Sequence, residues 1–160
     1  MFEFTIDKSA PKPALYAELL QSAEALTAGE PDCIANMANI SALLWQFLPD
    51  LNWAGFYRLV GGELVLGPFQ GKAACIRIPL NKGVCGTAAA VGETQRVDDV
   101  YTFSGHIACD ADSRSELVAP VKRNGKVIAV IDLDSPSPAR FDADDVAGVE
   151  ALAVLLADRI

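Results

Sequence analysis

Residues 52–66 read NWAGFYRLVGGELVL, and this stretch decides the fold. Before it the apolar residues recur at helical spacing; from Asn52 onward the period is two. Asn52 to Leu59 therefore reads as a strand. Gly61-Gly62 turns the chain into a second strand, Glu63 to Leu66, because two adjacent glycines supply the positive φ angles of a tight hairpin. Alternation places Trp53, Gly55 and Tyr57 on one face of the first strand. Two aromatic rings flanking a glycine suggest a flat-walled slot with room above the backbone. Core packing explains the same pattern, so the slot needs polar groups nearby before it reads as a ligand site.

Upstream, residues 13–28 carry Leu15, Leu19, Leu20, Ala23 and Leu26 at helical spacing behind a Pro11-Lys12-Pro13 start. Asp32 is placed to cap a second helix, whose stripe of Ile34, Met37, Ile40, Leu43, Leu44 and Phe47 stops at Pro49. Downstream, Ala74 to Ile78 reads as a strand, and Gly83-Val84-Cys85-Gly86 opens a short helix running to about Val91. Gln95 to Val97 reads as a short strand and 98–113 as mostly irregular. Glu116–Val121 and Lys126–Asp132 are strands joined by Asn124-Gly125, a strong hairpin turn. After Phe141 a helix capped by Asp142 turns Val146, Val149, Leu152, Ala153, Leu156 and Ile160 to one side. The expectation is an α+β layered fold: a central antiparallel sheet of about six strands with the N- and C-terminal helices packed on one face.

At 160 residues the prior is one domain, 1–160, with about 1–10 as an N-terminal segment. A chain of this length buries about 70% of its unfolded surface and needs neither disulfide nor metal to fold. The net charge of -8 argues against nucleic-acid and anionic-membrane partners, which want a basic face. The start, MFEFTID, has no basic and apolar leader pattern, and no run reaches the roughly 18 apolar residues of a membrane span. The expected location is the cytoplasm, where thiols stay reduced. Cysteines there do redox chemistry, bind metal or fill the core.

Three of the four cysteines, Cys75, Cys85 and Cys109, are candidates for chemistry. Cys85 lies near a helix N-terminus, where unpaired N–H groups favour a thiolate. Cys109 stands beside Asp110 and Asp112, which oppose one. A thiol near pKa 8.5 is only a few per cent thiolate at neutral pH, so a Cys109 nucleophile requires an activated electrophile such as a protonated S=O. Cys75, Cys85, Cys109 and His106 make a nominal Cys3His set, but no pair has the two-to-four-residue spacing of a zinc site, and no metal is expected. His106 reads as a loop hydrogen-bonding residue and Cys33 as a packed thiol. Asp132 and Asp134, two residues apart at the end of an apolar strand, point the same way. They are a solvated strand end, an ammonium-binding pair or a general acid with a raised pKa. Glu116 opens the neighbouring strand and can complete an acidic cluster.

Several segments together resemble the GAF-type free methionine-(R)-sulfoxide reductases. They are Asn52-Trp53-Ala54-Gly55-Phe56-Tyr57, Leu66-Gly67-Pro68-Phe69-Gln70-Gly71-Lys72, Gly83-Val84-Cys85-Gly86, Gly105-His106-Ile107-Ala108-Cys109-Asp110, Ser113-Arg114-Ser115-Glu116 and Asp132-Leu133-Asp134-Ser135-Pro136. The resemblance spans about residues 35–160. Ser104 departs from it, where proline is expected. It implies a GAF fold, a homodimer packed through the helices, and reduction of free L-methionine (R)-sulfoxide with thioredoxin as external reductant and no bound cofactor. By position, Cys109 would attack, Cys75 would resolve, and Cys85 would be secondary. Trp53 and Tyr57 would wall the methyl-sulfoxide end. Glu116, Asp132 and Asp134 would hold the amino group and polarise or protonate the oxide. A non-catalytic GAF sensor of small molecules or oxidants is the alternative, and a thiol peroxidase a third.

Overall fold

In the computed structural model, residues 4, 6–103 and 111–160 are described. Two helices come first. α1, Lys12–Thr27, starts behind Pro11, and α2, Cys33–Phe47, starts at Asp32, whose carboxylate accepts the Ala35 N–H at 2.8 Å. That bond satisfies one of the donors every helix start leaves open. Then follow β1 (Trp53–Val60), β2 (Glu63–Gly71), β3 (Arg77–Pro79), α3 (Gly83–Val91), β4 (Gln95–Val97), a 3-10 turn at Val100–Thr102, β5 (Ser115–Arg123), β6 (Lys126–Ser135) and α4 (Ala143–Leu156).

The six strands form one sheet in the order β3-β2-β1-β6-β5-β4, with every neighbouring pair antiparallel. Both tight hairpins are built from paired positive φ angles: Gly61 at 62° and Gly62 at 88°, and Asn124 at 52° and Gly125 at 75°. This is the turn whose twist matches the strands it joins. The strand expected over Ala74–Ile78 is shorter and later, at Arg77–Pro79. The Cys75 carbonyl is taken by the Tyr57 hydroxyl instead of a ladder, and Ile76 is 71% exposed.

The alternation of β1, β5 and β6 sorts the residues into two cores. On one face Ala54, Phe56, Leu117, Ile131 and Leu133 pack against α1, α2 and α4. Leu19, Ile40, Leu44, Val149, Leu152 and Leu156 meet them there with no exposure. Burying each such side chain contributes about 1.5–3 kcal/mol. Ile34, expected in the apolar stripe of α2, lies in the first turn of the helix and is 42% exposed. α4 opens on a capping box between Asp142 and Asp145. On the other face Trp53, Tyr57, Val118 and Val130 pack with Val84, Cys85 and Ala88 of α3. A Cβ at Gly86 would overlap the Pro79 carbonyl, so glycine lets α3 lie tight on the β3 end. Among the described residues no helix is long and apolar enough to cross a membrane.

Candidate active site

The site lies on the α3 face, where three adjacent strands put their side chains in rows. Trp53 of β1 is in register with Asp134 of β6, and Asp134 with Glu116 of β5. One step along, Gly55 pairs with Asp132 and Asp132 with Val118. Alternation on each strand therefore carries Trp53, Tyr57, Glu116, Asp132 and Asp134 to one face, as the sequence spacing requires. All five line a single narrow cavity of about 40 Å³, with Cys85 at its wall. Two exposed lysines, Lys72 and Lys82, and Ser113 also line it. No sequence periodicity marks these three, because they come from loops.

The aromatic pair does more than wall the cavity. Trp53 stacks on Tyr57 at 5.8 Å between centroids and on Phe69 at 5.2 Å. The room expected above Gly55 is filled: a Cβ there would overlap Phe69 and the Pro68 carbonyl. Gly55 thus serves close packing of β2 on β1, and the slot lies beside the rings, toward the carboxylates. The polar ends of both rings are used. The Trp53 indole N–H donates to the Lys72 carbonyl at 3.2 Å, and the Tyr57 hydroxyl to the Cys75 carbonyl at 3.0 Å. A buried Trp or Tyr needs such a partner. Here the partners fix the segment that carries Cys75. Burial and the nearby Asp132 charge push the Tyr57 hydroxyl far up, so it stays a donor.

The electrostatics of the cavity are those of buried acid without a counter-charge. Glu116 is 7% and Asp132 5% exposed. Burial pushes Asp132 up to about 7, and burial together with the Asp132 charge pushes Glu116 well above the usual carboxylate range. The Asp132 Oδ1 atom is buried without a hydrogen-bond partner. Among the described residues neither carboxylate has a lysine or arginine within ion-pair distance. Asp134, half-buried, stands at the rim of this pair.

The cysteines divide sharply. Cys75 is disulfide-bonded, whereas Cys33 and Cys85 are free thiols. The helix N-terminus reading of Cys85 fails. Its thiol is buried, it donates to Glu116 Oε1 at 3.9 Å, and burial followed by the Asp132 and Glu116 charges pushes it well above the ordinary thiol value. Two carboxylates outweigh the half-charge of one helix end. Cys109, with His106 and Asp110, lies outside the described residues. The segment that holds it is flanked by ties: the Tyr101 hydroxyl donates to the Ala111 carbonyl at 3.0 Å, the Val100 N–H to the Arg114 carbonyl at 2.9 Å, and Lys72 pairs with Asp112.

A family model for the GAF domain matches residues 15–160. The free methionine-R-sulfoxide reductase of Escherichia coli is 51% identical over 145 residues, covering 91% of this chain and 88% of that protein. The Saccharomyces cerevisiae enzyme of the same name is 45% identical over 153 residues, 91% of this chain and 85% of that one. The solved structure of free methionine-R-sulfoxide reductase from Neisseria meningitidis, in complex with its substrate, superposes with a TM-score of 0.94. It is 43% identical, covering 99% of this chain and 95% of that chain.

Proposed function

The chain belongs to the free methionine-R-sulfoxide reductases of the GAF family, and on that premise we propose that it reduces free L-methionine (R)-sulfoxide to methionine. The observation that carries the reading is the Asp132–Glu116 pair: two buried carboxyls that burial holds protonated well above the usual range, both lining an aromatic-walled cavity, with Asp132 Oδ1 left without a hydrogen-bond partner. A sulfoxide supplies the missing acceptor for an acid proton. The ammonium of a free amino acid supplies the missing cation.

In this scheme Cys109 attacks the sulfoxide sulfur while Asp132 gives its proton to the oxygen. Asp132, pushed to about 7 by burial, exchanges its proton near neutral pH, which suits a general acid. The Asp132 proton stays on the oxygen as Cys109 becomes a sulfenic acid and methionine leaves, and the Cys109 thiol proton returns to Asp132. The Cys75 thiol then condenses with the sulfenic acid, its proton leaving with the hydroxyl as water. Two thiols are oxidised to one disulfide as one sulfoxide is reduced. Thioredoxin then resets the disulfide by exchange. The oxidised state of Cys75 beside two free thiols supports its pairing with Cys109. Glu116 and Asp134 hold the ammonium, and Trp53 and Tyr57 wall the S-methyl end. Cys85, neutral and buried, is at most a secondary redox partner. We read 1–160 as one domain acting in the cytoplasm as a homodimer packed through its helices.

The test is NADPH oxidation coupled through thioredoxin and its reductase, with the R epimer, the S epimer and hydrogen peroxide supplied separately. Turnover confined to the R epimer is expected. Turnover lost in Cys109→Ser with substrate binding kept supports the attacker, and one methionine per site without recycling in Cys75→Ser supports the resolver. No turnover with any oxidant leaves a binding module on this scaffold, and turnover with peroxide alone makes it a peroxidase.

A further inference from the structure

We propose that Cys85, Glu116 and Asp132 form a site for a soft divalent cation of the Zn2+ class, and that the cation and the substrate ammonium exclude one another. The three residues come from α3, β5 and β6, and each is more than nine-tenths buried. One donor atom from each lies within 4.8 Å of both others. The Cys85 Sγ–Glu116 Oε1 separation is 3.9 Å. With Zn–S near 2.3 Å and Zn–O near 2.0 Å, a tetrahedral centre sets sulfur and oxygen about 3.5 Å apart, so a shift of a few tenths of an ångström seats the ion.

A cluster of acids alone is no site, since most are solvated. This one differs in that all three members are more than nine-tenths buried and Asp132 Oδ1 is buried without a hydrogen-bond partner, an unsatisfied acceptor that a bound cation would satisfy. The donor set decides the class of ion. One thiolate with two carboxylates suits Zn2+ or Co2+. Mg2+ and Ca2+ want six or more hard oxygens and would leave the sulfur unused. Coordination sends the Cys85 proton to solvent, because thiolate is the ligand. The metal binding stands without the reductase reading; the exclusion of substrate rests on it.

Full-length protein is titrated with Co2+ in its disulfide form and on a Cys33→Ser background. Cys75 is then oxidised, which leaves Cys85 as the free thiol of the described residues. The expected result is one equivalent bound at micromolar or lower dissociation constant, with sulfur-to-cobalt charge-transfer absorption that equimolar Zn2+ removes and millimolar Mg2+ does not. Cys85→Ser should abolish the absorption and Asp132→Asn should weaken binding at least tenfold. No sulfur-to-cobalt absorption, or absorption that survives Cys85→Ser, overturns the site. If Cys85→Ser does not fold, Asp132→Asn decides, and unchanged affinity in it also overturns the site. Free methionine (R)-sulfoxide should weaken Co2+ binding in proportion to its concentration. Co2+ affinity unmoved by saturating substrate overturns the exclusion and, with turnover intact, places the ammonium elsewhere.

Discussion

Two buried aspartates on opposite faces of one sheet receive opposite treatment. Asp145, at the start of α4, has no exposure and is surrounded by donors. Arg140 reaches it at 2.8 Å, the Tyr16 hydroxyl at 3.0 Å, the Asp142 N–H at 2.9 Å, and Lys12 pairs with it as well. Asp132 is as deeply placed, yet it has one vacant oxygen, a neutral thiol beside it and a second acid across the strand. A buried carboxylate that is fully paired tethers α1, the Arg140 loop and α4. A buried carboxyl left unpaired keeps its proton to higher pH. The difference lies in what the neighbouring elements supply, and under the proposed mechanism it separates a residue that serves the fold from one that serves chemistry.

The sharpest way to break this contrast is Asp132→Asn. The amide keeps shape and loses the proton donor, so turnover with free methionine (R)-sulfoxide should fall by about 10²- to 10⁴-fold, the range for a positioned general acid. Melting temperature should hold or rise, because an unpaired buried acid is removed. A fall in stability with turnover intact would show Asp132 to be structural. Asp145→Asn is the mirror experiment. It leaves Arg140, 8% exposed at its side chain, without its charge partner, and should cost about 3 kcal/mol of unfolding free energy by urea titration. The specific activity of the folded protein should change little. A loss of kcat larger than the loss of folded fraction would mean the knot reaches the cavity.

How much of this contrast was legible beforehand follows from range. Caps and turns are local, so Asp32, Asp142, Gly61-Gly62 and Asn124-Gly125 could be read directly, and each is where it was expected. Strand alternation is also local, and it carried Trp53, Tyr57, Glu116, Asp132 and Asp134 to one face. The two hairpins then set the register of β1 with β2 and of β5 with β6, whereas the long-range pairing of β1 with β6 that brings Trp53 opposite Asp134 is settled only by the fold. What could not be read is whatever depends on contacts across the cavity. Cys85 looked like an activated thiol because its helix was visible and its neighbours, Glu116 and Asp132, were not. Gly55 looked like open space because nothing on β1 announces that Phe69 fills it. Lys12 and Arg140 are far from one another in sequence, and only the fold turns both on Asp145.

A third, smaller effect tests the sign of the Asp132 shift. Its native value near 7 lies above the ordinary 3.8 of an unfolded aspartate. Between those values the native state holds a proton that the unfolded chain has released, so raising the pH weakens the fold. Above about 7 both states are ionised and the penalty stays constant. The wild type should therefore lose melting temperature relative to Asp132→Asn between about pH 4 and pH 7, by roughly 2 °C or more. Turnover should decline as the pH rises through about 7, since the acid must be protonated. A difference curve that rises with pH would mean that Asp132 is ionised in the native state and paired by a cation.

The smallest expected effect sits at the edge of the Asp145 knot. Asp142 caps α4 through the Asp144 and Asp145 N–H groups at 2.9 and 3.2 Å, and it also meets Lys12 at 2.8 Å. The Lys12 hydrogen bond, with the backbone bonds, holds its carboxyl down at about 2. The side chain is 56% exposed, so solvent screens most of the charge interaction. What remains is the cap, and Asp142→Ala should cost about 1 kcal/mol by urea titration. Asp142→Asn keeps the cap oxygen and should cost less than half of that. Because the native carboxyl lies below its unfolded value, the wild-type advantage over Asp142→Asn is complete above about pH 4 and is lost as pH falls through about 2. A loss near the 3 kcal/mol of Asp145→Asn would mean that the exposed and buried members of the knot act as one unit, and burial would no longer explain why one acid matters more than the other.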